Sequence, residues 1–392
     1  METWDIARLV APTTLETFYA EYWEKKALVI RRGDPRAYAS LVTLEDIDRV
    51  ITTFHLSHPD VMMANATREV TTGDYTFADN SIDIVRLYQQ FASGSTIVMN
   101  QLHRFVNPLG DLVRRVEHDL SARMQTNIYL TPRDAQGFKV HYDSHDVFVL
   151  QVHGVKHWKL YATQVPLPFR GQQFGDEPVE TGEVVQEFDL EPGDTLYIPR
   201  GLMHAASTTS ASSMHITMGV LHTSWAEVLI EALARYAQTD DELRAGLPPG
   251  YATRGYDRAA AEKRFRAMFR RVAENADFEG ALELFADDVA TTRAPLLQGQ
   301  LQQVMHLAEI SPETRAGARP NLLFRTVSDD RGLTISCGGR DVTIPAHAAE
   351  TALAALRGES YAVRDLPGDL DDAGKVVLVR RLVREGFVRA AH

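Results

Sequence analysis

A chain of 392 residues, with 53 acidic and 41 basic side chains and a formal net charge of −12, is too long for one compact core and too acidic for a general nucleic-acid-binding surface. Its one cysteine, Cys337, excludes an internal disulfide framework and a multi-cysteine zinc site and suits a reducing compartment. Met1 to Val10 lacks the basic start and apolar run of a signal peptide, and no apolar run approaches the ~18 residues of a membrane span, so the expected location is cytoplasmic, away from membranes.

Thr13 to Lys26 is predicted as a capped amphipathic helix, with Leu15, Phe18, Tyr19 and Trp23 on one buried stripe. Ala27 to Arg31 reads as a short strand, and Thr43 caps a helix from Leu44 to Ile51. Ser81 to Phe91 and Pro108 to Met124 carry further helical periodicity, with a strand at Thr96 to Asn100 between them.

From Thr126 to Val220 the pattern changes to short strands: NIYLT, FKVHYD, VFVLQV, HWKLY, VVQEFDL, DTLYIP and SMHITMGV, punctuated by Gly137, Gly154, Pro192-Gly193 and Pro199-Arg200-Gly201. Such spacing predicts a mainly β core with helices, built as a cupin-type jelly roll (double-stranded β-helix) whose alternate side chains point into a cavity. After Trp225 the chain reads as helical to about Ile310 (WAEVLIEALARYA, AAAEKRFRAMFRRVAENA, PLLQGQLQQVMHLAEI). A dimerisation surface is the functional reading of these helices, and ordinary packing the alternative. NLLFRTV, GLTISCG, DVTIP and SYAVRDL then read as strands, HAAETALAAL and residues 371–385 as helices, and GFVRAA as part of a terminal hairpin. That order resembles a winged helix, but Asp365, Asp369, Asp371 and Asp372 beside Arg380, Arg381 and Arg384 argue against DNA binding. The expected domains are therefore 1–222, a barrel with an N-terminal helical elaboration; 223–312, helical; and 313–392, winged-helix-like.

Chemistry concentrates in the barrel. His141 and Asp143 are two apart, so on an extended strand end they share a face, and His204 follows a distant G-D-x-L-Y-I-P-x-G-x-x-H segment. Two histidines and a carboxylate form the facial triad that holds non-haem Fe(II) with positions left open. Lys156, in a G-x-K-x-W segment, is placed to meet a co-substrate carboxylate, with a solvated surface lysine as the plain alternative. Asn127, Tyr129 and Thr131 alternate along one strand and face either the pocket or solvent. His215 and Thr217 share a face that lines the pocket or belongs to the core, and His145 is a substrate contact or an ordinary loop histidine. His153 and His157 are expected at the surface, and His103, His118 and His222 have no partner by spacing. Serine-triad, phosphate-loop and zinc-finger motifs are absent.

With those residues in view, the chain resembles the JmjC-type ribosomal oxygenases, a cupin-like branch of Fe(II)/2-oxoglutarate oxygenases. The likeness rests on N-x-Y-L-T-P, H-Y-D-x-H-D-x-F-x-L-Q-x-x-G-x-K-x-W and P-x-G-x-x-H, in that order, and on an N-terminal run from Phe18 to Arg32. It implies His141, Asp143 and His204 as iron ligands, Lys156 on the C5 carboxylate of 2-oxoglutarate, and Asn127 and Thr217 as further co-substrate contacts, with O2 as the second co-substrate; the strand alternation adds Tyr129 as a candidate co-substrate contact. It implies also a helical dimerisation region, a homodimer, and hydroxylation of an arginine or histidine of a ribosomal protein. Alternatives are a tailoring hydroxylase acting on a peptide natural product or free amino acid, and a non-catalytic metal-binding cupin with a regulatory role. The retained Asp143 argues against halogenase chemistry, which needs that coordination position for halide. Hydroxylation and demethylation begin with the same hydrogen abstraction, and the loop at 169–183 carries no readable substrate code.

Overall fold

The computed structural model describes residues 3–175, 179–293 and 296–391. Two compact units divide the chain, Met1–His222 and Thr223–His392. Among the described residues, the first unit holds ten strands: β1 (Leu28–Ile30), β2 (Val61–Ala64), β3 (Thr96–Asn100), β4 (Arg123–Thr131), β5 (Asp146–His153), β6 (Lys156–Gln164), β7 (Val184–Leu190), β8 (Thr195–Ile198), β9 (Leu202–Ser207) and β10 (Ser213–Leu221). They form a seven-stranded sheet of order β1-β8-β5-β10-β4-β3-β2 and a three-stranded sheet of order β7-β6-β9. All pairings are antiparallel.

Period-2 alternation makes the large sheet two-faced. Met214, Ile216, Met218 and Val220 of β10 join Phe148 and Leu150 of β5 in an outer core, which also takes Ile47, Val50 and Ile51 from the helix Leu44–Thr53 and Leu109, Leu112 and Val116 from the helix Asn107–Leu120. Thr43 caps the first of these helices through a reciprocal pair with Asp46. The other face of the sheet meets β6 and β9 across a smaller core of Val147, Val149, Trp158, Leu160, Leu196 and Ile198. That inner core opens into the cavity described below.

Several elements differ from expectation. The helix predicted over Thr13 to Lys26 is a short turn at Leu15–Thr17 followed by a π-helix, Phe18–Tyr22, in which the Trp23 N–H returns to the Phe18 carbonyl. The widened turn lets both aromatic ends reach the barrel: Phe18 lies edge-on to Tyr197 at 5.0 Å, and Trp23 stacks on Tyr197 at 5.9 Å. FKVHYD is not a strand; only His141 pairs, in an isolated bridge to His204. Just before it, a Cβ at Gly137 would strike the Thr96 side chain, so this position holds the chain close to β3. Strand β2 (VMMA) was not anticipated.

Gly154 turns β5 into β6 at φ +61°, and an added Cβ would fall on the Ser212 carbonyl oxygen. Gly154→Ala is expected to cost at least about 1–3 kcal/mol from backbone strain, before the overlap is counted. A denaturant midpoint equal to that of the wild type would contradict this account of the turn.

In the second unit the helices Trp225–Ala237, Arg258–Asn275 and Gln300–Met305 are joined by Phe278–Thr291, which the periodicity did not single out. Residue 295, the start of the third predicted helix, lies outside the described residues. Strands β11 (Arg315–Ala318), β12 (Arg325–Asp329), β13 (Gly332–Cys337), β14 (Arg340–Ile344), β15 (Tyr361–Ala362) and β16 (Val388–Ala390) form two sheets, β15-β11-β16 and β12-β13-β14. The helices Ala349–Arg357 and Asp372–Arg384 pack with them in one core. The terminal strand is not part of a hairpin: β16 pairs with β11, whose sequence RAGA has no strand propensity of its own.

Candidate metal centre and co-substrate cavity

Strand β9 brings His204 beside His141, with each backbone N–H donating to the other's carbonyl, at 3.1 and 2.8 Å. The Gly201 N–H donates to the Asp143 carbonyl at 2.9 Å, which fixes the third residue to the same turn. The imidazole centroids stand 4.6 Å apart. Asp143 Oδ1 is 4.0 Å from His141 Nε2, and Oδ2 is 3.7 Å from His204 Nε2. One donor atom from each of the three lies within 4.8 Å of the others.

Hydrogen bonding also sets the tautomers. His141 Nδ1 faces the Lys139 carbonyl at 2.8 Å, and His204 Nδ1 faces the Leu202 carbonyl at 2.9 Å. A carbonyl only accepts, so both Nδ1 atoms carry the proton and both Nε2 lone pairs are turned toward Asp143. Burial, followed by the neighbouring His141, pushes the His204 pKa down to about 4, so it is neutral and ready to ligate. Two imidazoles and one carboxylate around a shared point fit a divalent cation of the non-haem iron type.

A cavity of about 210 Å³ extends from this trio into the barrel. Lys156 lies at its wall, buried, with Nζ donating to Thr131 Oγ1 at 2.8 Å. Desolvation lowers its pKa to about 7. The alternative of a solvated surface lysine is therefore wrong. Thr131, Tyr129, His215 and Thr217 line the same cavity. Burial and then the Asp143 charge push the Tyr129 hydroxyl up to about 12, and the Asn127 amide is hydrogen-bonded to it. Asn127 itself is not among the lining groups; it reaches the cavity through Tyr129. Nor is His145, whose imidazole rests on the Cα of Gly219 with Gln125 3.4 Å away. Trp158, between His204 and His215 at 6.0 and 5.8 Å, lines the cavity and was missed. Its K-x-W spacing from Lys156 was the available signal, because i and i+2 share a strand face.

Histidines outside the cavity find partners that spacing did not reveal. His222 has a partner after all, Asp146 Oδ2 at 3.0 Å. His157 is held between Asp189 and Glu187, at 2.7 Å each. Glu24, Asp146 and His222 form a second trio of metal-ligating side chains. A cation is already there: Arg200 Nη1 lies 2.5 Å from Glu24 and 3.7 Å from Asp146. Burial works against the Asp146 charge, yet His222, the Arg200 N–H and Tyr197 hold its carboxyl below the usual range. This trio anchors the N-terminal segment to the barrel.

Residues 102–228 match the family described as JmjC domain. That stretch is a JmjC domain. The JmjC match spans β4 to β10 and so includes all three residues of the trio and Lys156. Mouse ribosomal oxygenase 2 is 31% identical over 293 residues, 72% of this chain and 62% of that protein. The Aedes aegypti bifunctional lysine-specific demethylase and histidyl-hydroxylase NO66 is 33% identical over 252 residues, 62% of this chain and 39% of that protein. The chain thus spans between about two fifths and three fifths of the length of these relatives. Among solved structures, the Escherichia coli ribosomal oxygenase YcfD in complex with cobalt and 2-oxoglutarate superposes with a TM-score of 0.53 at 16% identity, over 97% of this chain and 99% of that one. At that identity the likeness concerns the fold: a JmjC, cupin-type β-rich core with helices.

Proposed function

We propose that this protein is an Fe(II)- and 2-oxoglutarate-dependent oxygenase that hydroxylates an arginine or histidine side chain of a ribosomal protein. One observation carries the reading: a single cavity joins a two-histidine, one-carboxylate trio to a buried lysine that has no carboxylate partner among the described residues. A buried ammonium is costly unless paired, and a dicarboxylate that chelates a metal through its 2-oxo acid end presents its far carboxylate to such a group. His141, Asp143 and His204 would hold the iron, which supplies activation of O2 when bound. Lys156 and Thr131 orient the co-substrate, and Tyr129 and Trp158 wall the cavity against water. The cobalt and 2-oxoglutarate bound by the Escherichia coli relative, and the ribosomal oxygenase names of the homologues, support the same assignment.

Purified protein with Fe(II) is expected to convert 2-oxoglutarate to succinate, and a deletion strain is expected to lose a +16 Da mark on one ribosomal-protein peptide that its parent carries. Turnover without that difference, accompanied by +16 on free amino acids, would favour a tailoring enzyme instead.

A homodimer belongs to this reading. The helix Arg258–Asn275 has no buried residue yet presents Phe265 and Phe269, 4.7 Å apart, while Trp225, Leu229 and Ile230 of the helix Trp225–Ala237 are each about two thirds exposed or more. Phe265→Glu together with Phe269→Glu is expected to turn a dimer into a monomer in sedimentation velocity. Wild-type protein that sediments as a monomer would remove the dimer from the proposal. Residues 313–392 are proposed as a winged-helix-like module without a nucleic-acid role, and the cytoplasm as the place of action. Among the described residues, no helix is long and apolar enough to cross a membrane.

A further inference from the structure

In the second unit the helix Asp372–Arg384 buries Val376, Leu378, Val379, Leu382 and Val383 in its own core. Its opposite side presents Val377, which is 66% exposed, with Arg381 and Arg384 exposed one and two turns further on. The segment 300–310 runs alongside. Gln300 Nε2 donates to the Val383 carbonyl at 2.7 Å, and Arg380 Nη2 donates to the Ala308 and Ile310 carbonyls at 2.8 Å each. Between the two lies a groove lined by Leu307, Ala308, Val377, Arg380, Arg381 and Arg384. We propose that this groove docks an acidic amphipathic helix of a partner protein.

The floor of the groove is apolar and its rim is positive. Among the described residues, neither Arg381 nor Arg384 has an ion-pair partner, and Arg380 is bound to carbonyls alone. The neighbouring carboxylates are turned elsewhere, Glu309 to His306 at 2.9 Å and Glu385 to Arg340 at 3.8 Å. A helix C-terminus attracts cations by itself, which accounts for basic residues in the last turn but not for an exposed valine beside them. Leu301, Val304 and Met305, also exposed, extend the apolar surface along the segment 300–310. A continuous apolar strip with a charged rim is the usual form of a protein-docking surface.

Shape and charge select the occupant. The walls are helical on both sides, Asp372–Arg384 on one and Gln300–Met305 with the turn Leu307–Glu309 on the other. They offer no free strand edge, so a partner completes them as a third helix, with apolar anchors at i, i+4 and i+7. Three arginines within two turns call for carboxylates flanking that stripe. A nucleic acid fits less well, because its phosphates would also meet Asp371 and Asp372 at the start of the same helix and would leave the apolar floor unused. Nor does a second copy supply the ligand from its own acidic amphipathic helix, Phe278–Thr291, whose Glu283 and Asp287 already hold Arg325.

Fluorescence anisotropy on the full-length protein tests the assignment, with a labelled synthetic helix that carries leucine at i, i+4 and i+7 and glutamate on both flanks. The wild type is expected to bind it. Arg381→Glu with Arg384→Glu is expected to weaken binding about tenfold, and Val377→Asp by a similar factor. The same peptide with lysine in place of glutamate is expected to bind the doubly reversed variant about as tightly as the original binds the wild type. A misfolded variant could not show that rescue. Absence of binding to the wild type, equal affinity for both peptides, or failure of the rescue would overturn the inference. So would tighter binding of a labelled oligouridylate RNA than of the acidic peptide. A wild-type dimer that dissociates on Val377→Asp would overturn it too, since a second copy would then fill the groove.

Discussion

Asp143→Ala is expected to lower succinate formation and Fe(II) affinity by more than about 100-fold, beyond the loss typical of removing only the groups that surround a metal's ligands. Asp143 supplies the only carboxylate of the trio, and its two oxygens face the two Nε2 atoms at 4.0 and 3.7 Å. Without it, two neutral imidazoles must hold a dication with no charge compensation. Folding should be unaffected, because the side chain is about a third exposed and the turn is held by the backbone bond from Gly201. Asp146, three residues on, makes the contrast. It is fully buried and binds His222, Tyr197 and the Arg200 N–H, so Asp146→Ala is expected to destabilise the fold by roughly 3–5 kcal/mol. Metal titration and thermal unfolding separate the two. A full-affinity Asp143→Ala protein would end the metal assignment.

Lys156→Met is expected to weaken 2-oxoglutarate by roughly 2–5 kcal/mol, the loss usual when one partner of a buried charge pair is truncated. Its pH behaviour is more diagnostic. Desolvation places the Lys156 pKa at about 7 in the free protein, and a bound carboxylate raises it again. Above pH 7, binding must therefore take up a proton, and affinity should fall toward about tenfold per pH unit; below pH 7 the lysine is already charged and affinity should level off. For the free protein the sign follows from the same shift. Between about pH 7 and the ordinary lysine value of 10.5, the unfolded chain binds more protons than the folded one, so stability rises with pH across that window. Lys156→Met should abolish both dependences. Calorimetry of 2-oxoglutarate binding from pH 6 to 9 with metal saturating measures the first, and a pH-independent wild-type affinity would refute the assignment of Lys156.

Much of the site could be read from the chain because its chemistry is local. His141 and Asp143 sit two apart, Lys156 and Trp158 two apart, and His204 follows a turn whose glycine, Gly201, adopts φ +82°. Each is a short-range pattern with a physical cause. Where such a pattern was applied without regard to neighbours, it failed. FKVHYD has strand composition, yet it contributes one bridge, His141 to His204. RAGA has none, yet it is a central strand because β15 and β16 pair with its two edges. Asn127 alternates with Tyr129 on β4, and only the packing shows that Tyr129 lines the cavity while Asn127 is hydrogen-bonded to it and does not.

The sequence by itself determined the ligand types and their spacing, because side-chain chemistry is a property of the chain; that His141 and Asp143 lie off any regular strand, in a segment bridged to β9, was decided by the fold. The tertiary structure alone decided which polar atoms are left without partners. That Lys156 is desolvated, that Trp158 and His215 present unpaired nitrogens, and that Arg200 already neutralises the Glu24, Asp146 and His222 trio all depend on contacts between distant segments. Burial and pairing are sums over such neighbours, and no local pattern contains them.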